Sequence, residues 1–204
     1  MEPSDAAETI TEVEDDDDKS KDTKFRSRAA LVIALMAMML AIASLGGSNV
    51  AEDMIAANIQ ASNLWAFYQA KNSRQTSLKV GADLLESQMR LHDKSLAPEV
   101  RQSLAKKIQE YNETVARYES EPGTAEGKKE LTARAQVFEA QRDHAMKQDT
   151  SFDLAEALFQ IAIVLASVAI LSYIRFVLKI AIFLGALATV LMLNGFFLVV
   201  PLPF

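Results

Sequence analysis

The chain has 204 residues, half of them hydrophobic, with 21 Lys and Arg against 27 Asp and Glu and a formal net charge of -6. The absence of cysteine excludes disulfides and thiol chemistry. Lys and Arg are dispersed among acids without forming a basic face, which argues against nucleic-acid binding.

The averages conceal a strong segregation. Residues 1–24 are acidic and poor in large apolar groups, the composition of a disordered tail, and they include the run "DDDDK" at Asp15–Lys19. Three apolar runs follow, Ala29–Leu45, Leu154–Ile174 and Ile180–Val200. Each is near the ~20 residues that a helix needs to cross the hydrocarbon core. The first run is longer than a typical signal-peptide core and has an acidic leader before it, so residues 29–46 read as a membrane span.

Basic residues near the run ends set the expected orientation. Lys19, Lys21, Lys24, Arg26 and Arg28 precede the first run, and residues 46–70 carry no Lys or Arg. Arg175 and Lys179 lie in the short connection between the second and third runs. Both clusters place the amino terminus in the cytoplasm and residues 47–150 on the far side, with spans at 154–174 and 180–200.

Between the first two runs the pattern is helical. From Val50 a three-four spacing continues through Met54, Ala57, Ala61, Leu64, Tyr68, Lys71, Gln75, Leu78, Ala82, Leu85 and Met89. That is the seam of a left-handed coiled coil, interrupted by the polar Lys71 and Gln75. It resumes at Val100, Leu104, Ile108, Tyr111, Val115 and Tyr118, after Pro98 in a first-turn position. "SEPGT" breaks this helix, with Thr124 as a candidate N-cap. A third seam runs through Leu131, Ala135, Phe138, Arg142, Ala145, Asp149 and Phe152.

Lengths favour a reversal at 92–98. At the α-helical rise, residues 48–91 span roughly 65 Å and the return from 98 to 153 roughly 80 Å. The expected fold is therefore an all-α membrane protein. Three transmembrane helices would carry a long extramembrane antiparallel, coiled-coil-like helical hairpin between the first and second.

The stretches "AANIQASNLWAFYQAK" and "FDLAEALFQIAIVLASVAIL" resemble the bacterial membrane-protein family known as domain of unknown function 4337. The resemblance covers about residues 25–200. It implies one span, a helical middle and two closing spans, and it brings no activity with it. Its matching positions are Asn58, Asn63, Trp65, Tyr68, Gln69 and Lys71, then Phe152, Asp153, Glu156, Gln160 and Ser167.

Two sets of residues are candidates for function. Asp149, Asp153, Glu156 and Gln160 share one helix face at the mouth of the second span, where polar groups are costly and face protein or water. They read either as a cation or proton site or as a headgroup-level carboxylate with an interhelical amide bond, and the second reading is preferred. Asn58, Asn63, Trp65, Tyr68 and Lys71, with Gly185 in the third span, are candidates for packing and assembly. Trp65 and Tyr68 lie rather far past the first span for an interfacial belt, so they are expected to pack on a returning helix or a second subunit. Alanine pairs 30/34, 37/41 and 162/166 and the series Ala181, Gly185 and Thr189 also permit close helix approach.

His92 and His144 belong to no metal-ligand motif, and no phosphate loop or nucleophile elbow occurs. No cofactor or metal is expected. The function that fits is a non-enzymatic scaffold or accessory subunit of the bacterial inner membrane, surrounded by lipid and assembled as a homo-oligomer or within a larger complex. The alternative is a small oligomeric channel or transporter with Glu156 and Gln160 along its path.

Overall fold

A computed structural model describes residues 22–92 and 95–200. The acidic tail expected to be disordered falls almost wholly on residues 1–21, outside that range. Four helices occur in order, α1 (Pro3–Leu91), α2 (Pro98–Glu119), α3 (Lys128–Ser172) and α4 (Arg175–Phe197). Three of them, α1, α3 and α4, contain stretches long and apolar enough to cross a membrane. The chain divides into two compact units, Met1–Glu52 with His144–Phe204, and Asp53–Asp143.

In the first unit, α3 and α4 bury faces with the same three-four spacing. Phe152, Ala155, Phe159, Ala162, Ala166 and Ala169 are the buried residues of one, and Leu178, Ala181, Gly185, Ala188, Met192 and Gly195 of the other. From α1 come Ala29, Met36 and Ala43, seven apart. The mostly small residues let the helices approach closely, which matters where lipid is as apolar as the side chains themselves.

Large groups then fill slots cut by glycine. A Cβ on Gly46 would fall 2.7 Å from Phe152 Cε1, and one on Gly195 would fall 2.9 Å from Cε2 and Cζ of the same ring. Phe196 meets that ring edge-on, with centroids 4.9 Å apart. Met36 occupies the equivalent space beside Gly185, where a Cβ would sit 2.5 Å from its Cε.

The two ends of α4 are tied by polar groups. Two residues, Tyr173 and Ile174, separate it from α3, and Tyr173 adopts the left-handed conformation with φ 58°. Arg26 lies over the Tyr173 ring, 4.7 Å from its centroid, and donates to its hydroxyl. At the other end Leu198 is left-handed and its N–H donates to the Asn194 carbonyl. The Asn194 side chain donates to the Val200 carbonyl at 2.9 Å and accepts from the Val200 N–H at 2.8 Å. It also donates to the hydroxyl of the fully buried Ser151, while Gln148 donates to the Gly195 carbonyl.

In the second unit, rising residue numbers on α2 and α3 meet falling numbers on α1. Tyr111 lies against Gly81, Val115 and Glu119 against Gln75, and Leu131 and Ala135 against Leu64. The residues spaced as a seam from Met54 to Met89 are buried or half-buried.

The break between α2 and α3 is held by a carboxylate. Glu130 accepts from the Ser120 hydroxyl at 2.6 Å and from the Glu121 N–H at 3.1 Å. The helix thus begins at Lys128, past Thr124, whose expected capping role the geometry does not realise. Gly127 is required there by space, since a Cβ would run into the Glu130 carboxylate and the Glu121 nitrogen.

Phe152→Ala should destabilise the solubilised protein by roughly 1–3 kcal/mol. That is less than the 3–5 kcal/mol usual for a water-excluded core, because lipid offers the ring no hydrophobic penalty and only packing is lost. Gly46→Val alone should lower the thermal midpoint by forcing the ring out. Combined with Phe152→Ala it should cost much less than the sum, as measured by thermal unfolding in detergent.

Candidate functional site

The strip at the start of the second apolar run does not close around a site. Asp149 and Glu156 are half-buried, whereas Asp153 and Gln160 are exposed. Glu156 rests beside α1, its Oε1 3.6 Å from where a Cβ on Gly47 would lie. Gln160 borders a shallow groove with Ile161, Val164 and Leu165. No grouping of three or more acidic or histidine side chains suited to a metal ion occurs among the described residues. Burial first, and the neighbouring Asp153 charge second, raise the Asp149 carboxyl above its ordinary range. Both His92 and His144 are exposed.

The packing candidates separate sharply. Trp65 is half-buried and donates from Nε1 to Glu139 Oε1 at 2.9 Å, with Tyr68 edge-on to it at 5.6 Å. Asn58 and Asn63 are exposed. Gly185 is buried against Met36. The alanines at 30, 34, 37 and 41 face outward, while Ala29 and Ala43 take the buried positions on α1.

Lys71, which is 4% exposed, leads to the densest polar cluster. Its ammonium lies 3.5 Å from Glu126 and 3.8 Å from Glu121, over the faces of Phe67 and Tyr118. One turn on, the buried Gln75 donates to the Val115 carbonyl and to Glu119, both at 2.9 Å. Lys128 reaches in from the start of α3, donating to Gln75 Oε1 at 2.8 Å and to Glu119 at 3.2 Å, above the Tyr68 ring. The Gln75 amide, and next the Lys128 ammonium, hold the Glu119 carboxyl below its ordinary range.

The two seam interruptions seen in the sequence, Lys71 and Gln75, are therefore the centre of a satisfied polar core. The chain positions that complete it, Glu119, Glu121, Glu126 and Lys128, carried no periodic signal of their own. No side-chain nitrogen or oxygen that is fully buried lacks a partner among the described residues. Both cations are matched by carboxylates and ring faces, an arrangement suited to fixing register rather than to chemistry on a ligand.

The family described as "Domain of unknown function (DUF4337)" matches residues 25–198. The chain belongs to this family. No curated protein and no solved structure matches it. The DUF4337 match spans both compact units, so the polar core and the glycine-slotted helices lie within one family domain.

Lys128→Ala should destabilise the Asp53–Asp143 unit by about 1–3 kcal/mol, since it strands the Gln75 oxygen. Lys71→Met should be nearly neutral, because its ion pairs are long and an apolar replacement avoids desolvating a charge. Chemical denaturation of the two variants followed by Trp65 fluorescence checks the contrast.

Acid should act oppositely on Glu119 and Asp149. The folded-state value of Glu119 is lowered, so its contribution is present above the ordinary carboxylate range and lost as pH falls through the lowered value. The folded-state value of Asp149 is raised, so its ionisation costs stability as pH rises. Glu119→Gln should therefore lower the thermal midpoint at neutral pH and Asp149→Asn should raise it. Both differences should shrink once the carboxyls are protonated, as read from unfolding curves between neutral and strongly acidic pH.

Proposed function

We propose that this DUF4337 protein is a non-enzymatic integral-membrane scaffold or accessory subunit that assembles with further copies of itself or within a larger complex. The observation that carries this reading is Gln160. Its amide is exposed within the apolar stretch of α3, about 6 Å along the helix from Glu156, and makes no hydrogen bond among the described residues. A lone amide facing hydrocarbon is unfavourable, so a second protein surface is the partner that satisfies it. The outward alanines at 30, 34, 37 and 41 support the same reading by offering a second close-packing face.

The setting proposed is the bacterial inner membrane, with the amino terminus and the Arg175 turn in the cytoplasm. Residues 47–150 would lie outside as an antiparallel coiled-coil hairpin. Its support is the distribution of Lys and Arg together with the opposed residue numbering of α1 against α2 and α3.

Single cysteines at Ser20, Ser95 and Ser172 probed with an impermeant maleimide in intact cells should react only at position 95. The mass of the detergent-solubilised complex should exceed that of one chain, and Gln160→Leu should reduce it. A monomeric wild type would overturn the assembly reading. Cation flux in liposomes that Glu156→Gln abolishes would replace it with a channel.

A further inference from the structure

At the opposite end of the apolar run on α1 from the Phe152 slot lies a cavity of about 380 Å³, formed by the amino-terminal part of α1 and the first two turns of α4. Lys24, Arg28, Arg175 and Lys179 line it, and among the described residues no acidic one does. None of the four makes an ion pair or hydrogen bond among the described residues. Arg26, between two of them in sequence, is by contrast engaged on Tyr173. Four cations facing one space repel one another, and nothing described neutralises them. The start of α4 lies nearby, and Ile174 offers it no side-chain cap.

The remaining wall is apolar. Phe25, Leu178 and Ile182 continue the cavity towards the membrane-spanning stretch. A free phosphate has no use for that wall, whereas an amphiphile with an anionic head uses both parts. We propose that this cavity binds an anionic glycerophospholipid, its phosphate among Lys24, Arg28, Arg175 and Lys179 and the start of one acyl chain along Phe25, Leu178 and Ile182. The site rests on α1, α3 and α4 lying in a bilayer and is independent of whether the protein acts as a scaffold. It reads headgroup charge at one end of the spans, and basic pockets between membrane helices serve this purpose generally.

The test uses the full chain in mild detergent, titrated with phosphatidylglycerol or phosphatidylcholine of matched acyl chains and read by native mass spectrometry. Phosphatidylglycerol should bind at least about tenfold more tightly. Arg28→Gln with Lys179→Gln should weaken it by roughly tenfold to thirtyfold, on a contribution of about fivefold per cation near a headgroup. Lys24→Gln with Arg175→Gln should do the same, and serves if the first pair folds poorly by circular dichroism. Lys129→Gln with Lys147→Gln, two exposed cations that do not line the cavity, removes as much charge and should change binding less than about twofold.

Equal retention of the two lipids would overturn the proposal, as would equal losses from the cavity pairs and the control pair. Inorganic phosphate binding as tightly as the lipid would show a phosphate site instead. Replacement of Asp15–Asp18 by Asn should leave lipid affinity unchanged. A gain near tenfold on that replacement would show the acidic tail to be the occupant and sink the lipid assignment.

Discussion

The fit of the Phe152 ring between Gly46 and Gly195 is the contact on which the unit holding the three apolar stretches depends. In lipid, burying an apolar ring gains no hydrophobic free energy, so association rests on the number of atoms brought to van der Waals distance. Two glycines on neighbouring helices remove the atoms that would hold the backbones apart, and one ring then touches both. Met36 against Gly185 repeats the device further along. Ser151, one residue from the ring, places its hydroxyl under Asn194, so the same turn of α3 supplies both the apolar wedge and the polar tie to the end of α4. A packing of this kind fixes rotation of each helix about its axis, which uniform alanine faces cannot do.

The second unit solves a different problem. Its seam is a long repeat of apolar residues, and a repeat admits shifted registers that bury nearly the same area. Lys71 and Gln75 break the degeneracy. A shift of α1 by one heptad would take Gln75 from Lys128 and Glu119, and would bring Lys71 out of reach of Glu126. The cost of stranding such groups is larger than the net stabilisation that they provide in place, so the cluster acts mainly against alternatives.

Much of this was legible in the sequence because helical periodicity is a local property. The seam positions read from the three-four spacing are buried or half-buried on α1 and α3, whereas on α2 none is buried and Val100 is exposed, and Trp65 and Tyr68 pack beside α3. The alanine frame on α1 was not legible. Ala29 and Ala30 are equally small, and the choice between them falls to Met36 and Gly46, whose partners lie more than a hundred residues away. The strip of Asp149, Asp153, Glu156 and Gln160 was correctly spaced for one helix, yet a helix neighbour covers only part of that face, leaving Asp153 and Gln160 outside. Thr124 had the chemistry of a cap, but Glu130 secures the break from within the following helix, a long-reach solution that no fixed offset signals.

The two-residue connection between α3 and α4 carries a consequence for how the two would sit in a bilayer. With only Tyr173 and Ile174 between them, and Arg26 on the Tyr173 ring, the facing ends of α3 and α4 are held close together. The apolar stretches of α3 and α4 are each long enough to cross a bilayer, and in one they would sit as a closely joined pair. Whichever leaflet holds the turn, both outer ends would lie at the opposite one.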